Sequence, residues 1–434
     1  MGRGRGQVDP CEPEAEGLEG QRMRDVELYR HLLGLREPWR VERVELSVKE
    51  GRVDVWAAHA PEQRWPCPTC GQPLGTYDHS AERQWRHLDS CQFQTYLHAR
   101  PVRVQCPEHG VKQVAVPWAE DHGRFTSLFE RLAIDVLREA SVSGAMRILR
   151  ISWDEAWHIQ VRAVRRGQAR KPREPVAHLG VDEKSLSKGQ DYMTLVYDLE
   201  KACVEYVVHG RGRETLDGYF RTRTATELEG IQAIAMDMWD AYIGSVRDNV
   251  PGAEDKIVFD RFHIMKHMLE AVNDVRKREH RELRREGDET LTGSKNLWLY
   301  SAENLPGKHR RRFAELKALD LATGRAWAIK ENLRRLWGFV SPTWARKHWQ
   351  RWHAWAIRSR LEPVKRVARM IRAHLHNVLT YVKHPITNAV AEGLNSKVQT
   401  IKKMAYGYRN PDNFKTAIYF HCGGLDLYPA HANP

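Results

Sequence analysis

The stretches AHLGVDEK (177–184), YMTLVYD (192–198) and CVEYVVH (203–209) decide the fold. Each is a short run rich in β-branched and aromatic residues. Gly189 and Gln190 separate the first pair, and Glu200 and Lys201 the second. Runs of this length with such short connections predict an antiparallel three-stranded meander. Downstream come a helical stretch from Glu214 to Thr224, a fourth apolar strand from Ile231 to Met236, a short helix, and a fifth strand from Lys256 to Phe259. The first strand is apolar until Asp182 and Glu183, which cannot both point into one site because successive side chains alternate faces. The fourth strand delivers Asp237 at its end.

Three antiparallel strands, a helix, a strand, a helix and a strand is the order of the ribonuclease H fold. There the fourth strand lies beside the first, so Asp182 and Asp237 can share a metal. A third acid is expected from a later helix, and NAVAEGLNSK (388–397) supplies Glu392, with Asn388, Glu392, Asn395 and Gln399 on one stripe. Three carboxylates can hold two Mg²⁺ ions about 4 Å apart, with Mn²⁺ as a substitute, and need no Cys or His. The residues leave alternatives open: Asp240 or Asp260 in place of Asp237, and a solvated helix as the reason for Glu392.

Between Asp237 and Glu392 lie 154 residues, too many for a simple ribonuclease H connection, so a helical insertion is expected. From Arg261 to about Lys383 the pattern is helical and basic. Val340 to Lys383 carries ten Lys or Arg, Arg366 and Arg369 among them, against Glu362 alone. Trp344, Trp349, Trp352 and Trp355 are interleaved. Such a face suits phosphate backbones and an unstacked base; helical spacing equally suits buried tryptophans.

Upstream, Val41 to Ala58 reads as a hairpin through Lys49, Glu50, Gly51 and Arg52. Cys67-Pro68-Thr69-Cys70-Gly71 and Cys106-Pro107-Glu108-His109-Gly110 then offer a Cys₃His set for tetrahedral Zn²⁺. Thirty-five residues separate the halves, so the insert must form its own hairpin. Cys91, His79 and His87 are the substitutes if His109 is not a ligand. From Phe125 to Arg166 the periodicity turns helical. Ile151 and Ser152 interrupt it, and a capping box of Ser152 and Glu155 restarts it. Ala156, Ile159 and Ala163 would be buried, leaving His158, Arg162 and Arg165 outward with Gln160 and Arg166 flanking. This is the geometry of a helix-turn-helix whose second helix enters a major groove.

The chain has 434 residues, 69 Lys plus Arg, 56 Asp plus Glu and a net charge of +13. A hydrophobic fraction of 41% excludes wholesale disorder. A basic chain of this size most often meets a polyanion, a basic housekeeping enzyme being the plain alternative. Seven scattered Cys suit a metal in a reducing compartment rather than a disulfide framework. No segment resembles a membrane span or a signal peptide, so a cytoplasmic protein with no membrane partner is expected. The expected organisation is a disordered tail (1–22), a zinc-binding β module (23–124), a helix-turn-helix domain (125–170), the first part of the core (171–260), the helical insertion (261–383), and the C-terminal helix of the core with a tail (384–434).

The strings Gly-Val-Asp-Glu (180–183), Ala-Met-Asp-Met-Trp (235–239), Phe-Asp-Arg-Phe-His (259–263), Asn-Ala-Val-Ala-Glu-Gly-Leu-Asn-Ser-Lys (388–397) and Met-Ala-Tyr-Gly-Tyr-Arg-Asn (404–410) resemble the ISL-three family of bacterial insertion-sequence transposases. The knuckle, Trp85-Arg86-His87-Leu88 and the helix-turn-helix fit the same family, so the resemblance covers nearly everything after about residue 25. His109 stands where the family's second knuckle is expected to carry Cys. The resemblance implies a DDE transposase with Asp182, Asp237 and Glu392 as its acids. Asp260 and His263 match an Asp-x-x-His element that supports the site. It further implies a bacterial, nucleoid-associated protein that binds terminal inverted repeats and target DNA as a homodimer or higher oligomer. Asn395, Lys397 and Lys402 join His158, Arg162, Arg165, Arg166, Arg366 and Arg369 as expected DNA contacts. A sequence-specific DNA-binding regulator and a structure-selective nuclease without strand transfer are the other readings.

Overall fold

The computed structural model describes residues 25 to 430 apart from 188 and 190; the expected tail 1–22 lies outside them. The chain divides into two compact units, Met1–Asp135 with Tyr428–Pro434, and Val136–Leu427. The division falls inside the helix Ser127–Glu139.

In the first unit, strands Trp39–Ser47 and Arg52–His59 form the expected hairpin, with Gly51 at positive φ in the turn. Between the two knuckles, Arg83–Arg86 and Gln94–Ala99 make the hairpin that the spacing requires. Gln94–Ala99 then pairs in parallel with Arg52–His59, so both hairpins merge into one four-stranded sheet. Val55, Trp85 and Leu97 are fully buried beneath it. A smaller sheet of Asp78–His79, Val102–Cys106 and Gly110–Gln113 carries the second knuckle on its tight turn.

The second unit begins with Val142–Leu149 and Trp153–Arg170. Ser141 caps the first helix, and the Ser152–Glu155 capping box starts the second; such a cap is worth about 1 kcal/mol. Between them Arg150 takes φ 55°, which ends the first helix sharply. Ala156, Ile159 and Ala163 are fully buried, as the stripe predicts. Gln160 departs from it: it is buried, not flanking an outer face, because it falls one residue past Ile159 on the packed side.

Five strands follow: β1 (His178–Ser185), β2 (Tyr192–Asp198), β3 (Cys203–His209), β4 (Ala233–Met236) and β5 (Ile257–Phe259). Their order in the sheet is β3-β2-β1-β4-β5, with the first three antiparallel and β4 and β5 parallel to β1. This mixed sheet with helices after β3 and β4 has the ribonuclease H topology. The helical stretch after β3 is two helices, Arg213–Arg221 and Ala225–Glu229, since Thr224 and Glu227 form a second capping box that breaks the run. On the open edge, the N–H of Val207 on β3 donates to Tyr419 Oη (3.1 Å) in the helix Pro411–Cys422, a way of covering an edge strand.

From Arg261 to Lys383 the described residues form helices without a strand, beginning with the 25-residue helix Arg261–Arg285. The four tryptophans divide. Trp349 and Trp352 are core residues, whereas Trp344 and Trp355 are 57% and 42% exposed. No helix among the described residues is long and apolar enough to cross a membrane.

Candidate active site, zinc centre and DNA-reading helix

Strand register sets the site. Gly180 on β1 is level with Ala235 on β4, and Met236 on β4 with Phe259 on β5. Two residues on from Gly180 and one residue on from Met236 and Phe259, the same register makes Asp182, Asp237 and Asp260 one row across three adjacent strands. The Asp260 N–H still donates to the Met236 carbonyl (3.0 Å), so the row is intact at its far end. Asp260 Oδ1 caps the helix Arg261–Arg285 by accepting from the Phe262 N–H (3.1 Å). One turn into that helix, His263 Nδ1 lies 3.4 Å from Asp237 Oδ2. Asp240, considered as an alternative second acid, is exposed at the start of the helix Asp240–Asn249.

The helix Ala389–Met404 runs along β1 and meets it at three positions seven residues apart, two of them hydrogen-bonded. A Cβ on Gly180 would come within 2.7 Å of Asn388 Oδ1, so only glycine admits this approach. Asn395 Nδ2 donates to Asp182 Oδ2 (2.6 Å), while its Oδ1 accepts from the buried Tyr197 hydroxyl (2.7 Å). Lys402 Nζ donates to the Ser185 carbonyl (3.0 Å). Asn395, expected to meet DNA, therefore uses both ends of its amide inside the protein, whereas Glu392, one turn earlier on the same helix, is exposed. Lys397 is exposed.

Asp182, Asp260 and Glu392 are all held above the ordinary carboxylate range. Burial is the leading cause for each, and Asp237 raises Asp182 and Asp260 further, as Asp260 and Asp182 raise Glu392. His263 partly offsets the repulsion at all three. Asp260 Oδ2 is buried with no hydrogen-bond donor among the described residues. Hard oxygen donors that repel one another, one of them buried without a donor, suit a divalent cation such as Mg²⁺, although they lie farther apart than the zinc quartet.

Cys67, Cys70, Cys106 and His109 bring one ligand atom each within 4.8 Å of the other three. The Cys70 and Cys106 sulfurs are 3.8 Å apart, and Cys106 Sγ is 3.4 Å from His109 Nδ1. With bonds of about 2.3 Å to sulfur and 2.0 Å to nitrogen, a tetrahedral zinc has edges of roughly 3.5 to 3.8 Å, so the donor set fits. Backbone N–H groups of Cys70 and Thr69 lower the Cys67 thiol to about 6, favouring the thiolate that zinc requires. The substitutes for His109 are occupied elsewhere or apart: His79 Nε2 meets His59 Nε2 (2.9 Å), buried His87 bonds Thr126 (2.9 Å), and Cys91 is exposed outside the quartet. Among the described residues no other group of three or more Cys, His, Asp or Glu donors is drawn together this closely.

On the second helix of the helix-turn-helix, His158 and Arg165 are exposed and Arg162 half-buried. Arg166 donates to the Leu427 carbonyl, anchoring the end of its unit. Arg366 and Arg369 are exposed in the insertion, Arg369 paired with Glu362 (2.8 Å). Residue patterns alone missed the tethering role of Asn395 and the part of Gly180; the seven-residue spacing of Asn388, Asn395 and Lys402 is the signal that carries it.

A ribonuclease H sheet with acids on and just beyond its central strands, joined in one chain to a zinc knuckle and a helix-turn-helix, defines a DNA-processing enzyme. Comparison with known families makes the class specific. A transposase family profile of the DDE type matches residues 179–418, the zinc-finger of transposase IS204/IS1001/IS1096/IS1165 matches 63–109, and the helix-turn-helix domain of transposase family ISL3 matches 114–164. The chain belongs to the ISL3 family of transposases. It is similar to the transposase for insertion sequence element IS1001 of Bordetella parapertussis, 28% identical over 387 residues that cover 88% of this chain and 95% of that protein. It is also similar to the transposase for insertion sequence element IS1557 of Mycobacterium tuberculosis (strain CDC 1551 / Oshkosh), 26% identical over 418 residues, covering 90% and 94%. The protein is thus a DNA-binding transposase, an enzyme that cleaves DNA and transfers strands, with a structural zinc module.

Proposed function

We propose that Asp182, Asp237 and Glu392 are the acids of this transposase and that it cuts and joins the terminal inverted repeats of an insertion sequence. The observation that carries this reading is the row of Asp182 and Asp237 on adjacent parallel strands, with Glu392 brought to it by the helix tethered at Asn395. These three residues would hold two Mg²⁺ ions, with Mn²⁺ as a substitute, which when bound activate a water or 3′-hydroxyl and stabilise the leaving oxygen. The chain's own groups prepare the site. Asn395 orients the Asp182 carboxylate, His263 holds Asp237, and Asp260 fixes the helix that presents His263.

The division of labour follows the segments of the sequence. Residues 23–124 form the zinc module and 125–170 read element ends through His158, Arg162 and Arg165, Arg166 being held by the Leu427 carbonyl instead. Residues 171–260 and 384–427 form the cutting core, the residues from Tyr428 on belonging to the first unit, and 261–383 clamp DNA through Arg366 and Arg369, with Lys397 nearer the core; Lys402 is held by the Ser185 carbonyl instead. An element has two ends to be joined, and each chain offers one acid row, so a homodimer or higher oligomer on DNA is the working form. The setting is the bacterial cytoplasm, at the nucleoid.

The test uses purified full-length protein, labelled element ends and Mg²⁺, reading nicked and joined products. Asp182→Ala, Asp237→Ala and Glu392→Ala should each abolish both products while end binding stays within about twofold, since they remove cation ligands rather than phosphate contacts. Normal cleavage by Asp237→Ala with loss in Asp260→Asn, which keeps the helix cap, would move the second acid to Asp260.

A further inference from the structure

Trp239 stands two residues past Asp237 and keeps 40% of its surface exposed. Its indole is nevertheless firmly held. Nε1 donates to the Arg211 carbonyl (3.3 Å), and the Arg211 guanidinium lies over the ring, 4.3 Å from its centroid. Arg211 is itself fixed, 4.8 Å from the Tyr192 ring centroid and 3.6 Å from Oε1 of Glu183, the residue after Asp182 on β1, whose side chain points to the other face. Trp239 is also the N-cap of the helix Asp240–Asn249, yet its side chain makes no capping bond. A large apolar ring, exposed and held two residues beyond Asp237, presents a free face to whatever approaches that acid.

The acid row accounts for it. Asp237 and Glu392 are open to solvent while Asp182 is half-buried and Asp260 buried, so a scissile phosphate engages the deeper end of the row more readily when the neighbouring nucleotide leaves the duplex stack. A base taken out of the stack loses its stacking energy unless an aromatic face replaces it, and a ring already held in place binds it at less entropic cost. We propose that Trp239 is the platform on which an unpaired DNA base stacks beside the scissile phosphate, with Arg211 supplying positive charge at the same spot. This rests on the reading of Asp237 as an acid of the cleavage site. Two other exposed aromatics are less suited. Trp344 lies in the insertion, its ring contacted by Lys347 of its own helix, and Phe262 is held only edge-on by His263.

The experiment uses the full-length zinc-loaded protein in Ca²⁺, with a random-sequence duplex ending in one unpaired 2-aminopurine, and with its fully paired and abasic counterparts. Wild type should prefer the unpaired base over the abasic site by about tenfold or more and quench its fluorescence on stacking. Trp239→Ala should lose both effects while binding paired duplex unchanged, and Trp239→Phe should recover part of each. A 5-iododeoxyuridine at the unpaired position should crosslink to Trp239. Unchanged preference in Trp239→Ala, or a crosslink that maps to Phe262, Trp344 or Trp355, overturns the proposal. Asp237→Asn should keep the preference and the quench while losing cleavage in Mg²⁺. If it cleaves normally while Trp239→Ala still loses the preference, the acid assignment fails and the stacking platform stands.

Discussion

Asn395 donates from Nδ2 to Asp182 Oδ2 at 2.6 Å across 213 residues of sequence, and with the Lys402–Ser185 bond it ties the helix of Glu392 to the strand of Asp182. The donor favours the ionised carboxylate, against the burial that raises Asp182. The other end of the same amide is held by Tyr197, whose hydroxyl burial keeps protonated and donating.

Asn395→Leu should therefore weaken catalysis without abolishing end binding. A hydrogen bond to a charged group is worth about 1.5 to 3 kcal/mol, so cleavage at limiting Mg²⁺ should fall about 10- to 100-fold. Losing the donor raises Asp182 further, which should move the acidic limb of the pH–rate profile upward, and more Mg²⁺ should recover part of the rate. A rate lost equally at all Mg²⁺ concentrations and pH values would mean that the helix had simply come away.

The zinc centre yields a folding prediction. About one Zn²⁺ per chain should copurify, and Cys67→Ser or Cys106→Ser should unfold the N-terminal unit, because a small metal module draws much of its folding free energy from the ion. His109→Cys keeps a fourth donor and should retain zinc, whereas His109→Ala should lose it. Elemental analysis with circular dichroism decides this, and zinc retained by Cys106→Ser would exclude the quartet.

Two basic surfaces should separate by what they read. Replacing Arg162 or Arg165 by Ala should weaken binding to element ends by about 1 to 3 kcal/mol each, and to random duplex far less. Replacing Arg366 and Arg369 should weaken both alike and flatten the salt dependence, since phosphate contacts act through counterion release. Salt titrations on both duplexes distinguish them, and the opposite pattern would exchange reading head and clamp.

Buried His87, bonded to Thr126, is pushed down to about 4, first by burial and then by the Arg86 charge. A depressed histidine stabilises the fold above its unfolded value of 6.5, and that stability is lost as pH falls from 6.5 toward 4. The limiting slope is about 1.4 kcal/mol per pH unit. His87→Gln should flatten the fall in denaturation midpoint between pH 6.5 and 4 relative to wild type. Parallel curves would show that another group sets the acid limb.

The strands were legible because each is a separate apolar run, and local pattern also singled out Asp182, Asp237 and the zinc knuckles as candidates. The knuckle spacing named Cys67, Cys70 and Cys106 as zinc donors, and the carboxylates and helix-turn-helix pattern named the chemistry of the rest. What the sequence left open was which of several candidates meet. His109 rather than His79 or His87 completes the quartet, because the turn after Cys106 returns it to the sulfurs while strand pairing holds the others apart. Asp260 joins the row because β5 pairs with β4 one register step before it, a non-local pairing with no local signature. Asn395 turned inward, and Trp349 and Trp352 became core while Trp344 and Trp355 did not, because helical spacing gives a stripe but not the neighbour it faces. Sequence set the chemistry and the order of elements, since both are local. Tertiary packing chose the partners, since only the folded chain brings residues hundreds of positions apart within hydrogen-bond distance.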